Sequence, residues 1–330
     1  MSFSKKIRVA VLRGGPSSEY DVSLKTGETV LRQLPSKYEG IDVFISKDGV
    51  WHVGGIQKNP TDALSHVDVV FLALHGQYGE DGKIQRILEQ IGIPYTGSGS
   101  FSSSVAMNKN LTKNRLTVLK GKIRMPFHKV YDKEEIEGKG FHTIFREIMM
   151  PAIVKPVSAG SSVGMSVVRT YPELEGAFEK AFEHSDCIMV EEFIEGREAT
   201  CGIIENFRDK EQYSLLPIEI IHNSKACFFD YDAKYSGKSQ EICPGNFDEE
   251  IKSKIQEASE LIHKELGLRH YSRSDFIIHP KRGIYFLEVN TLPGLTPESL
   301  FPKSVHAVGS SLPEFLDHIL QLTLKENSKR

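Results

Sequence analysis

Over the first third of the chain, short apolar runs alternate with amphipathic stretches. Ile7–Leu12, Ile41–Ile45 and Val67–Leu74 read as strands. A helix is expected from about Asp21 to Leu34, and Gly49–Val53 suits a small hairpin. Lys83–Ile91 places Ile84, Ile87, Leu88 and Ile91 on one helical face. Strand–helix alternation predicts a parallel sheet with covered faces. In such sheets ligands bind beyond the carboxyl ends of strands, where Arg13–Glu19 and His75–Gly82 fall.

The pattern then changes. A basic helical stretch, Lys109–Lys120, leads into Pro126. Strands are expected at Ala152–Lys155, Val163–Val168 and Cys187–Ile194, with a helix over Pro172–His184 whose proline suits the first turn. Further on, Ala199–Ile204, Leu215–Ile221, Tyr271–Ile278 and Ile284–Val289 read as strands, and Phe247–Leu266 and Leu312–Leu324 as helices. The long polar and aromatic loop Phe228–Gly245 has the character of a functional segment.

Composition narrows the class. The chain has 330 residues, enough for two or three domains. Hydrophobic residues make up 39% and charged residues 26%, and the net charge is −3, so nothing global favours nucleic acid or an anionic membrane. No apolar run approaches a membrane span, and Ile7–Leu12 is too short for a signal-peptide core. Cys187, Cys201, Cys227 and Cys243 lack CxxC spacing, which indicates neither zinc nor a disulfide framework and fits a reduced cytoplasmic location.

Candidate chemistry concentrates in Tyr271–Asn290. Two strands flank the turn His279-Pro280-Lys281-Arg282-Gly283. Residues two apart share a face, so a turn centred near Lys281–Arg282 sets Asp275 opposite Glu288 and Arg273 opposite Asn290. Two carboxylates and an amide oxygen suit magnesium, and a solvated face of cross-strand ion pairs suits the same pattern. Lys155-Pro156…Gly160-Ser161-Ser162-Val163-Gly164 offers a small-residue loop for phosphate above a lysine, without the spacing of a Walker P-loop. Glu19 and Asp81 suit helix capping as well as ligand binding, and His75 a structural role.

Taken in order, these motifs resemble the D-alanine–D-alanine ligases of the ATP-grasp superfamily. The resemblance runs through Gly14-Gly15…Glu19, His75-Gly76…Gly79-Glu80-Asp81-Gly82, Pro94-Tyr95-Thr96-Gly97 and Met107-Asn108-Lys109. It continues through Lys155-Pro156…Gly164, Glu191…Glu198, Asp230-Tyr231…Lys234-Tyr235, Arg273…Asp275 and Glu288-Val289-Asn290…Gly294. It implies an α/β, ATP-grasp fold: an N-terminal parallel-sheet domain (residues 1–107), a central α+β domain (108–191) and a C-terminal, mainly antiparallel-sheet domain (192–330).

The resemblance also implies a reaction: ATP phosphorylates one D-alanine, and the amine of a second attacks the acyl phosphate, supplying a peptidoglycan precursor. It assigns Glu19, Ser161, Lys234, Tyr235 and Arg273 to catalysis, and His75, Gly294, Ser299 and Leu300 to the amino acids. Lys109, Lys155, Ser162, Glu191, Glu192, Phe193, Ile194 and Glu198 fall to ATP, and Asp275, Glu288 and Asn290 to magnesium, with manganese as a substitute. A homodimer is implied. Alternatives are a ligase with another acceptor, D-lactate or D-serine, which Tyr235 and Leu300 disfavour, and a non-catalytic nucleotide-binding regulator on this fold. Departures from the family pattern are Val157-Ser158-Ala159 in the glycine-rich loop, Ser272 and Ser274 beside Arg273, and Asn108 in place of an aspartate.

Overall fold

The computed structural model describes residues 6–158, 160, 163–222 and 239–328. Three sheets organise the chain. The first has the order β4-β3-β2-β1-β5, formed by β1 (Ile7–Gly14), β2 (Tyr38–Ile45), β3 (Trp51–Val53), β4 (Ile56–Lys58) and β5 (Val69–Leu72). β1 pairs in parallel with β2 and β5, as the alternation predicts. β3 and β4 add an antiparallel edge, so the sheet is mixed. The expected hairpin at Gly49–Val53 lies later in the chain: Gly49 turns β2 into β3, and the tight turn is Gly54-Gly55, both at positive φ. Helix α1 (Tyr20–Gln33) covers the sheet, and α2 (Pro60–Leu64), capped by the Asn59 side chain, precedes β5. All four residues of β5 are buried, which is why its sequence shows no alternation.

Helices α3 (Lys83–Ile91), α4 (Ser100–Met107) and α5 (Lys109–Arg115) lead to the second sheet. Its order is β6-β9-β7-β8, from β6 (His128–Asp132), β7 (Ala152–Pro156), β8 (Ser166–Val168) and β9 (Cys187–Glu192), all antiparallel. The helix Pro172–Phe182 packs Leu174, Ala177, Phe178 and Ala181 against it. The third sheet runs β13-β12-β10-β14-β15: β10 (Arg197–Phe207), β12 (Ile218–His222), β13 (Ser239–Ile242), β14 (Tyr271–His279) and β15 (Gly283–Asn290), with β11 (Lys210–Ser214) beside β10. All its pairings are antiparallel.

Core packing explains which parts hold together. The core of the first sheet continues into the last region through Leu292, Leu295, Phe301, Phe315, Leu316 and Ile319. The second sheet has a separate core around Tyr131, Ile144, Val154 and Phe178. The first and third sheets are therefore joined by shared apolar burial, whereas the second is stabilised mainly by its own. Among the described residues no helix is long and apolar enough to cross a membrane.

Candidate functional site

The hairpin β14–β15 carries the acidic end of the site. Arg273 faces Asn290 and Asp275 faces Glu288, the pairing expected from sequence. The reason differs from the one expected. The turn centres on Lys281, since His279 pairs with Gly283 and Phe276 with Phe286. Strict alternation from there would set Leu287, not Glu288, opposite Asp275. A register shift between Asp275 and Phe276 absorbs Leu287 as an extra residue and restores the polar pair. A bulge thus decides which face the carboxylates share.

Asp275 is only 7% exposed and fully engaged. Arg273 donates to it through Nε and Nη2, both at 3.0 Å, Thr200 Oγ1 at 2.6 Å and Asn290 Nδ2 at 3.2 Å. Burial works to lower the Arg273 pKa, but Asp275 outweighs it, and the guanidinium stays charged. Glu288 Oε2 lies 3.2 Å from Lys109 Nζ. The oxygen donors suit a hard cation, which here meets two ammonium or guanidinium competitors. Among the described residues no three His, Cys, Asp or Glu side chains converge as a metal cage. Carboxylate and amide oxygens are the donors that a magnesium ion takes, with waters and substrate phosphates completing its shell.

The N-terminal loops converge on this hairpin. Glu19 occupies the N-cap position of α1, but its side chain makes no capping bond. Instead a Cβ on Gly76 would lie 3.2 Å from Glu19 Oε2 and one on Gly160 3.6 Å from Oε1, so the carboxylate sits between two glycine backbones. His75 is buried; its Nδ1–H donates to the Leu292 carbonyl at 2.9 Å, and its Nε2 accepts from Thr26 at 2.8 Å. Burial lowers its pKa, so the ring is neutral.

In the sequence Glu80 is visible only as one residue of the Gly79-Glu80-Asp81-Gly82 motif, with nothing to mark its role. Its Oε2 accepts from Gly76 N at 2.9 Å. Its Oε1 accepts from Thr291 N at 3.0 Å, Leu292 N at 2.9 Å and Thr291 Oγ1 at 3.3 Å. One carboxylate therefore fastens the loop after β5 to the turn after β15. Burial, then Glu19, push its pKa up to about 7 against those hydrogen bonds. Two of its partners, Thr291 and Leu292, lie more than 200 residues away and leave no local signal in sequence.

The basic end lies on α5, β7 and β9. Lys155 Nζ is 3.0 Å from Glu191 Oε1, and both are buried. Asn108, the departure from the family pattern, accepts from Leu111 N at 3.0 Å and caps α5, so loss of the charge leaves the cap intact. Glu192 turns its side chain away, to Arg282 and the Phe127 N–H. Phe193 N donates to the Pro151 carbonyl at 3.1 Å, and Ile194 is buried. Glu198 lies on β10, opposite Ile277. Ser299 Oγ would touch a Cβ on Gly294 at 2.8 Å, which brings that expected pair together, and Leu300 begins the next helix. Ser272 bonds His263 at 2.7 Å, behind the site. Asp81 accepts from Lys83 N at 3.0 Å, one residue before Gly82, the N-cap of α3. Ser161, Ser162, Lys234 and Tyr235, with the rest of 223–238, lie outside the described residues.

A parallel-cored sheet, a four-stranded antiparallel unit and a larger antiparallel sheet, with lysines and carboxylates facing between the last two, are the architecture of an ATP-grasp enzyme. Residues 121–321 match the family described as D-ala D-ala ligase C-terminus, and residues 8–63 and 55–98 that described as D-ala D-ala ligase N-terminus. The D-alanine–D-alanine ligase of Syntrophobacter fumaroxidans is 38% identical over 326 residues, covering 98% of this chain and 99% of that protein. That of Pelotomaculum thermopropionicum is 37% identical over 324 residues, 97% of each. Among solved structures, the D-alanine–D-alanine ligase from Coxiella burnetii superposes with a TM-score of 0.84 at 26% identity, covering 99% of this chain and 96% of that one. The VanG D-Ala:D-Ser ligase from Enterococcus faecalis gives 0.83 at 31% identity, covering 96% and 99%. This chain belongs to the D-alanine–D-alanine ligase family.

Proposed function

We propose that this protein joins two D-alanines into D-alanyl-D-alanine, a peptidoglycan precursor, with cleavage of ATP to ADP and phosphate. The observation that carries the reading is the meeting of Glu19, Gly76 and Gly160 beside the Glu80-tied turn that ends the Asp275–Glu288 hairpin. This arrangement supports an amino-acid site set against a phosphate and metal site, which is what activation of an amino-acid carboxylate requires.

In this reading Glu19 holds the ammonium of the first D-alanine and leaves its carboxylate facing the γ-phosphate. Phosphoryl transfer needs position and positive charge more than a protein nucleophile. Lys109 and Lys155 supply charge, to which the family resemblance adds Lys234 and Ser162. Glu191 to Ile194 and Glu198 line the adenosine. Asp275, Glu288 and Asn290 would hold magnesium, which neutralises phosphate oxygens when bound. The second D-alanine, seated by Ser299 and Leu300, attacks the acyl phosphate through its amine. The carbonyl carbon becomes tetrahedral, Arg273 and the Gly294 N–H stabilise its oxygen, and phosphate leaves. The family resemblance adds Ser161 and Tyr235 as catalytic groups, and His75 orients the loop beside Glu19.

Phosphate release with D-alanine, ATP and magnesium tests this, with D-serine and D-lactate offered as competing second substrates and the products identified by mass. D-alanyl-D-alanine as main product is expected. Nucleotide binding without phosphate release, or preference for D-serine or D-lactate, overturns it. The D-serine arm matters because a D-Ala:D-Ser ligase shares the fold closely.

A further inference from the structure

Lys113 has no exposed side-chain surface, an unusual state for a lysine. It lies one turn after Lys109 on α5, on the same face. Its Nζ is 3.0 Å from Glu191 Oε2, while Lys155 Nζ bonds the other oxygen at 3.0 Å. One buried carboxylate is therefore shared by two buried ammonium groups. Burial lowers the Lys113 pKa. Burial works to raise that of Glu191, but the two lysines outweigh it and keep it below the ordinary value.

A single buried carboxylate with one cation would make a closed pair, and withdrawing that cation would strand a buried charge. With two cations the balance differs. Either lysine can leave while the other still neutralises Glu191. The two are held by different elements. Lys113 is held by a helix whose first residue donates from its backbone N–H to the Val157 carbonyl at 3.0 Å and whose Asn108 cap reaches Ser158 at 3.4 Å. Lys155 is the penultimate residue of β7, paired with Met189 of β9 and directly before the small-residue stretch toward Gly164.

We propose that Lys113 is a positioning residue for nucleotide binding: it retains Glu191 as a fixed, ionised group so that Lys155 can exchange that carboxylate for the nucleotide. The inference rests on the ATP-dependent reading above. Lys113 itself need not touch the nucleotide.

The test is calorimetric titration of the full chain with ADP and magnesium, together with KM for ATP and for D-alanine. Lys113→Met keeps length and removes charge. It is expected to weaken ADP binding and raise the ATP KM by about tenfold, because Lys155 is then locked to Glu191. The D-alanine KM should stay within about twofold. Removing Glu191's charge should abolish the need for Lys113. Glu191→Gln combined with Lys113→Met is therefore expected to bind ADP as Glu191→Gln alone does. A Lys113→Met protein that binds like wild type overturns the proposal. So does a further loss, or failure to fold, when Lys113→Met is added to Glu191→Gln, because that marks a packing role independent of the carboxylate. Should Lys113→Met alone not fold, the comparison within the Glu191→Gln background decides by the same outcomes. Wild-type protein that binds no nucleotide would instead overturn the functional reading, and this inference with it.

Discussion

Replacing Glu80 with glutamine probes the tie between the amino-acid loop and the turn after β15. Glu80 Oε1 serves three donors and Oε2 one, the Gly76 N–H at 2.9 Å. A glutamine oxygen can keep the three, but its NH2 then confronts the Gly76 N–H, donor to donor. Loss of one hydrogen bond to a charged group costs about 1.5–3 kcal/mol. If that tie is needed in the transition state, kcat/KM falls by about 10- to 100-fold. The pH dependence gives a sharper signature. The folded pKa of Glu80 is raised from 4.5 to about 7, so the fold favours its protonated form. That stabilisation is fully present below pH 4.5 and is lost as pH rises through 7, a span of about 3 kcal/mol. Catalysis should move the other way, because only the ionised carboxylate accepts from every donor. Urea unfolding of wild type and Glu80→Gln from pH 4.5 to 8, with kcat/KM over the same range, measures both. Wild-type stability relative to the variant should fall across this window while its activity limb rises near 7. Parallel stability curves, or an unchanged limb near pH 7 in the variant, would refute the reasoning.

Asp275→Asn and Glu288→Gln should each raise the magnesium concentration needed for half-maximal activity; an unchanged magnesium titration would remove both from the metal site. Lys234→Ala, from sequence alone, should lower kcat by about 10²–10³-fold as a charge donor to the γ-phosphate is lost, and a kcat within a few-fold of wild type would contradict it. Gly76 has φ +67°, and a Cβ there would sit 2.7 Å from Ser17 Oγ and 3.2 Å from Glu19 Oε2. Gly76→Ala should therefore raise the D-alanine KM by about tenfold, whereas Gly160→Ala, with 3.6 Å of room, should change it little; equal effects would sink the contrast.

Periodicity exposed most of the architecture. The helices at Lys83–Ile91 and Pro172–Phe182 and the strands of the β14–β15 hairpin are set by contacts between residues two to four apart, which sequence displays directly. Elements with mixed or weak patterning, such as α4, β6, β11 and the helix Leu300–Ala307, escaped that reading because packing against other elements sustains them. The outermost strand of the first sheet, Ile56–Lys58, escaped for a related reason: it buries nothing.

Residue types and their order along the chain determined the chemistry on offer: two carboxylates and an amide on one hairpin, lysines before small-residue loops, a glutamate after the first strand. The tertiary structure decided how these groups meet. A bulge, not turn length, aligned Asp275 with Glu288. Glu80 became a bridge only because Thr291 and Leu292 fold back onto it. Lys113 became a buried cation only because β9 places Glu191 against α5. Short-range order follows from local sterics and side-chain spacing, whereas the pairing of a buried charge depends on which distant residues share its low-dielectric surroundings.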